Sequence, residues 1–180
     1  MEFQQSITYA NLQNAYDIEL MQSTLYSIYG DIVRQSGYRQ IGNIYDIFQG
    51  NNKEHARIWL RQLNQGNLPD ASEVLQLSAQ QEYYKGNQLY RDYARIAREE
   101  GYNDIESLFN GIANIDLNHG LQLETQYNDV IRDQVFCKDQ ETLWICMQCG
   151  NILNGLCAPV VCPVCGFPQS FYRLYGTEPI

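Results

Sequence analysis

Histidine is scarce in this chain of 180 residues, which holds two. No cysteine precedes residue 137, proline occurs five times, and the 12 Lys and Arg are outnumbered by 21 Asp and Glu. Each shortage excludes something. A net charge of −9 lacks the basic surface that a phosphate backbone requires, so nucleic acid is not an expected partner. No run approaches the roughly 18 apolar residues of a spanning helix, so no membrane segment is expected. The start, "MEFQQSITYANL", has no basic segment followed by an apolar run and does not read as a signal peptide. The expected setting is soluble and cytoplasmic.

Helical patterning fills residues 1 to about 133, and the sparse breakers fall where helices should stop. Gly37, the stretch "NQGNLPD" at 64–70 and Gly101 divide it into four helices, near 8–36, 39–64, 71–100 and 103–132. Asp70-Ala-Ser-Glu73 has capping-box spacing and should open the third.

The two histidines share a phrase. Asn52-x-x-His55 and Asp116-x-x-His119 lie 64 residues apart, as do "SGY" at 36–38 and "EGY" at 100–102. The second helix carries a stripe of Ile41, Tyr45, Phe48, Asn52, His55 and Trp59. The fourth repeats it as Ile105, Phe109, Ile112, Asp116, His119 and Leu123. Steps of three and four put such stripes inside a bundle, so both histidines are expected to face its core. On the first and third helices, Glu19 and Glu82 interrupt inward faces that are otherwise apolar or small. Their offset is 63, one short of the repeat.

Buried carboxylates are costly unless paired or metal-bound. A four-helix bundle with a Glu from each of two helices and Glu-x-x-His from each of the others is a two-metal template. Glu19, Glu82, Asp116 with His119, and Asn52 with His55 fill it, with an amide and an Asp in place of two Glu.

Four cysteines form Cys146-x2-Cys149-x12-Cys162-x2-Cys165. Paired knuckles of this spacing make a tetrahedral four-sulfur site for iron or zinc. Spacing alone favours structural zinc, while the bundle beside it and "CPVCG" favour iron. Trp144, Phe167, Phe171 and Tyr172 should cover the site, since so small a module needs metal and aromatics to make a core. Cys137 and Cys157 lie outside the pattern and are expected as free thiols.

The chain resembles the rubrerythrin family through "NLQNAYDIE", "SGY…IYDIF…KEHA", "YARIAREEGY", "LWICMQCG" and "CPVCGFPQ", from about Asn11 to Tyr172. The resemblance implies an all-α ferritin-like four-helix bundle over 1–136 and a rubredoxin-like domain over 137–180. It implies a non-haem iron oxidoreductase that reduces hydrogen peroxide at a di-iron site. Electrons would arrive through the four-cysteine iron from an NAD(P)H-dependent rubredoxin-type reductase. It places Glu19, His55, Glu82 and His119 at ligand positions and Tyr26 and Tyr90 beside the metals. Three positions depart from the family. Asn52 and Lys85 stand where it has Glu, and Asp116 replaces another Glu. Glu19, Glu82, Asp116 and Lys85 together match the charge of one divalent ion. Lys85 is therefore expected to take the electrostatic role of a missing metal, with one ion on Glu82, Asp116 and His119. An empty, hydrogen-bonded site and a two-ion site are the alternatives. The rival function is a degenerate, non-catalytic homologue that senses, binds a partner or stores metal.

One connection is too short for the fold. A ferritin-like bundle needs a crossover of about 30 Å between its second and third helices, counting from the site level. Residues 65–69 reach about 17 Å when fully extended. Either the flanking helices fray, or the chain forms a homodimer in which helices one and two pack with helices three and four of a second copy.

Overall fold

A computed structural model describes residues 2–176. The helices are α1 (Ile7–Gln35), α2 (Arg39–Leu63), α3 (Ala71–Tyr84), α4 (Tyr90–Glu99) and α5 (Asn103–Ile131). The strands are β1 (Cys137–Cys146), β2 (Ile152–Cys157) and β3 (Tyr172–Leu174). The chain divides into two compact units, Met1–Pro69 and Asp70–Ile180. The boundary therefore falls within the region the sequence assigns to one bundle. Among the described residues no helix is long and apolar enough to cross a membrane.

The first unit is an antiparallel pair. The Ser6 hydroxyl caps α1 by accepting from the Tyr9 amide at 3.1 Å. Gly37, at φ +92°, turns the chain out of α1, and the Tyr38 amide donates to the Val33 carbonyl at 3.1 Å. Arg34 then ties the pair, reaching both carboxylate oxygens of Asp46 on α2 and one of Asp31 on α1.

The second unit opens with the expected capping box. The Glu73 amide donates to Asp70 Oδ1 at 3.0 Å, and the Asp70 amide donates to Glu73 Oε2 at 2.9 Å. The third helix is not continuous as the sequence suggested, because Lys85–Leu89 form a π-helical turn between α3 and α4. A π turn holds one residue more than an α turn, and such insertions cluster at functional sites. This accounts for the slipped repeat. Glu82, before the insertion, is offset by 63 from Glu19; Tyr90, after it, is offset by 64 from Tyr26. Gly86 sits in the insertion, against α5. A Cβ there would meet the Ala113 carbonyl oxygen at 2.8 Å.

The small module is a three-stranded antiparallel sheet in the order β2-β1-β3. Its core joins Trp144, 1% exposed, to Cys146, Ala158, Cys162 and Tyr172. The Trp144 indole donates to the Gly155 carbonyl at 3.1 Å. Cys137 and Cys157 are not free thiols, as expected, but form a disulfide. They face each other across β1 and β2 with Cα atoms 4.0 Å apart. The Ala158 amide donates to the Phe136 carbonyl just outside them, so theirs is the non-hydrogen-bonded position where side chains approach closest. A register shift between Cys137 and Thr142 produces this apposition, and nothing local in the sequence signals it.

Candidate metal centres

The two helix pairs place four corresponding positions in corresponding arrangements. In the first pair, Glu19 Oε2 lies 3.4 Å from His55 Nδ1, and Asn52 donates from Nδ2 to Gln22 Oε1 at 3.4 Å. In the second, Glu82 Oε2 lies 3.7 Å from His119 Nδ1, while Lys85 Nζ donates to Glu82 Oε1 at 2.8 Å. Lys85 Nζ is also 3.4 Å from Asp116 Oδ2. Gln22 is thus the counterpart of Lys85, at the same offset of 63 that relates Glu19 to Glu82. Sequence reasoning missed it, although that slipped offset would have found it.

Lys85 is 32% exposed and Asp116 only 9%. Burial lowers the Lys85 pKa, but the hydrogen bond it donates to Glu82 and the charges of Glu82 and Asp116 outweigh it and leave it raised. Lys85 is therefore a fixed cation among these carboxylates. Glu82 Oε2 and Asp116 Oδ2 are nonetheless buried without hydrogen bonds. Both have only longer ion-pair neighbours, Lys85 at 3.4 Å from Asp116 Oδ2 and His119 at 3.7 Å from Glu82 Oε2, and buried carboxylate oxygens so placed suit a further cation. Glu82, Asp116 and His119 each offer one ligand atom, all within 4.8 Å of one another. This donor set fits one hard or borderline divalent ion. It does not fit the two-ion template, which needs carboxylates where this chain has the neutral Asn52 and the cationic Lys85.

The histidines do not both face the interior of their own helix pair. His55 is 51% exposed and His119 54%. Two rows run side by side on each of α2 and α5, and the residues of each expected stripe fall on both. Tyr45, Asn52 and Ala56 turn toward α1, as Ala113, Asp116 and Gly120 turn toward α3 and the π turn. The neighbouring rows, Ile41, Ile44, Phe48 and His55 on α2 and Ile105, Leu108, Ile112 and His119 on α5, stay exposed. Tyr26 packs against Tyr45 and Phe48, with centroids 5.6 and 6.2 Å away. Tyr90 packs against Phe109 and Tyr93 at 5.9 and 6.2 Å. Both rings occupy aromatic clusters.

The four-cysteine site is built by two knuckles. The Gly150 amide donates to the Cys146 carbonyl at 2.8 Å and the Gly166 amide to the Cys162 carbonyl at 2.9 Å. Cys146 and Cys165 sulfurs lie 3.7 Å apart, as do those of Cys149 and Cys162, and all four lie within 4.8 Å. A tetrahedron with metal–sulfur arms of about 2.3 Å has edges of about 3.8 Å, so the thiols fit a tetrahedral ion. Burial pushes the Tyr172 hydroxyl up to about 12. Donation from that hydroxyl toward the Cys162 sulfur draws the thiol down to about 6. Phe167 and Phe171 pack edge to face at 4.7 Å.

Comparison with known proteins covers both parts. The family model described as Rubrerythrin matches residues 10–127, and that described as Rubrerythrin, rubredoxin-like domain matches 144–173. The chain is 30% identical to Rubrerythrin of Nitratidesulfovibrio vulgaris over 95% of both chains. It is 28% identical to Rubrerythrin-1 of Clostridium acetobutylicum over 93% of both. Rubrerythrin of Clostridium perfringens is 29% identical over 93% of this chain and 94% of that one. The fold class is accordingly ferritin-like bundle helices followed by a rubredoxin-like domain.

Proposed function

The chain belongs to the rubrerythrin family, and from that premise we propose that it is a non-haem iron oxidoreductase that reduces hydrogen peroxide. The balanced step is H2O2 + 2 e− + 2 H+ → 2 H2O. The observation that carries the reading is the presence, in one chain, of a complete four-thiol site and the Glu82–Asp116–His119 cluster. Iron held by four thiolates supplies one-electron transfer, and an ion on the carboxylate–histidine cluster supplies Lewis acidity next to bound peroxide. Electrons would come from an NAD(P)H-dependent rubredoxin-type reductase.

The chain's own groups have separable tasks in this proposal. Glu82, Asp116 and His119 hold the ion, with Glu19 and His55 as the other expected ligands. Lys85 stays protonated and keeps two carboxylates from repelling each other. It also carries an N–H able to donate to a peroxide oxygen. Tyr26 and Tyr90 would act as hydrogen-bond partners that orient peroxide.

Asn52 and Lys85 favour a second reading, a homologue that binds metal without turning peroxide over. One experiment separates the two. Anaerobically reduced protein is mixed with peroxide, and the visible absorption of the four-thiolate iron is followed. Rapid bleaching recovery that slows at least tenfold in His119→Ala supports catalysis. An equal, slow rate in both proteins leaves only the non-catalytic reading.

A further inference from the structure

We propose that Cys137 and Cys157 are a second redox site of this chain, a disulfide opened at Cys157 by a dithiol reductant and closed again by a disulfide oxidant. The exchange uses only sulfur and does not rest on the metal readings above. The balanced step is RSSR + R′(SH)2 → 2 RSH + R′S2, a transfer of two electrons and two protons. A thiolate of the reductant attacks Cys157 Sγ, the Cys137–Cys157 bond breaks, and Cys137 leaves as a thiolate that takes up a proton. The reductant's other thiol then attacks its own sulfur in the mixed disulfide, closes its own ring and releases Cys157.

One small module holds its cysteines in two oxidation states. Cys146, Cys149, Cys162 and Cys165 are thiols, while Cys137 and Cys157 are bridged. The two sets are kept apart, because β1 carries Cys137 as its first residue and Cys146 as its last. A tetrahedral ion in the four-thiol site would occupy all four of its sulfurs. The bridge has no such cover. Cys157 is exposed and Cys137 half-buried. A hollow of about 360 Å³ opens beside Cys137, lined also by Val130, Asp133, Phe136 and Gln169. Exchange requires a thiolate to reach a sulfur, and here the reachable sulfur is that of Cys157.

Reversibility follows from contacts that hold the pair in place without the sulfur–sulfur bond. The Ala158 amide donates to the Phe136 carbonyl at 2.8 Å, one residue outside each cysteine. Ala158 is buried in the core of the module, and its carbonyl accepts from Gln169 Nε2 at 2.6 Å. On the other strand, Lys138 Nζ donates to Asp129 on α5 at 2.7 Å. Both cysteines are therefore flanked by bonds that survive reduction. The two thiols stay opposed at their non-hydrogen-bonded position, and closing the bridge again is an intramolecular step with a high effective concentration.

The test uses the full folded chain with zinc, which has no redox chemistry, in the four-thiol site. Protein treated with dithiothreitol is alkylated and mapped peptide by peptide by mass spectrometry. A second portion is first returned to oxidised glutathione. Cys137 and Cys157 should both be alkylated after reduction and bridged to each other again after the return. Reduction that proceeds only once the chain is denatured overturns the proposal, as does a return that leaves glutathione on these cysteines in place of the bridge. Two single variants locate the point of attack. Cys137→Ser leaves Cys157 as a thiol, which should form its mixed disulfide with oxidised glutathione at least about tenfold faster than Cys137 does in Cys157→Ser, because exposure sets access. Equal rates, or a faster Cys137, overturn entry at Cys157. The wild-type mapping decides reversibility whether or not the serine variants fold.

Discussion

Three residues beyond its glutamate, the α1/α2 pair places Gln22, which faces Asn52; the α3–α5 unit places Lys85, which faces Asp116. The outcome is the same net charge by different routes, a neutral amide pair on one side and an ion pair on the other. The ion pair keeps a carboxylate ready to ligate, while the amide pair gives it up. Histidine and glutamate are 3.4 Å apart in one half and 3.7 Å in the other, so geometry is retained and chemistry diverges. The two helix pairs thus keep one Glu–His arrangement while differing in the residues beside it.

The strongest way to break this contrast is to restore symmetry in favour of metal. The double substitution Asn52→Glu and Lys85→Glu should raise ferrous ion uptake in the bundle from one to two. In protein stripped of ions it should lower stability by about 3 kcal/mol, because new carboxylates crowd those already there. Metal analysis beside chemical denaturation would check both. Unchanged uptake would refute the role assigned to Lys85.

A smaller effect should distinguish the two halves directly. Lys85→Met leaves Glu82 and Asp116 uncompensated and should cost about 2 kcal/mol, reduced from the fully buried case by partial exposure. Gln22→Met removes only one long amide hydrogen bond and should cost less than about 1 kcal/mol. Equal losses in denaturant titrations would mean that the ion pair and amide pair are equivalent.

The smallest contrast lies in backbone packing. Gly86→Ala would press a Cβ toward a backbone carbonyl at the π turn and should cost about 1–3 kcal/mol. Gly50→Ala meets nothing within 4 Å inside α2 and should gain about 0.5–1 kcal/mol from helix propensity. Thermal midpoints moving in opposite directions would confirm that close approach matters at the first site only.

Helix boundaries were legible because capping and turn residues are local. Asp70, Gly37 and Gly101 act within a few residues of themselves, and α1, α2 and α5 begin and end within one residue of the expected bounds. The four-thiol site was legible for the same reason, as two-residue spacing already forms a knuckle. The π turn was visible only as an arithmetic irregularity, the 63 beside 64. The Cys137–Cys157 bridge was not visible, since it depends on a bulged register between strands. The pattern puts each histidine and the residue three before it on one stripe, because a period of three and four cannot separate two adjacent faces of a helix.

From sequence alone came four helical segments, an internal repeat, the thiol knuckles and a short link between the second and third of those segments. Tertiary structure decided that Lys85 bridges Glu82 and Asp116, that one added residue is absorbed as a π turn, and which row of each helix its neighbour covers. The physical reason is range. Periodicity, caps and knuckle spacing are set by forces acting within a turn or two of chain, whereas ion pairing, close backbone approach and strand register depend on what distant segments bring to the same place.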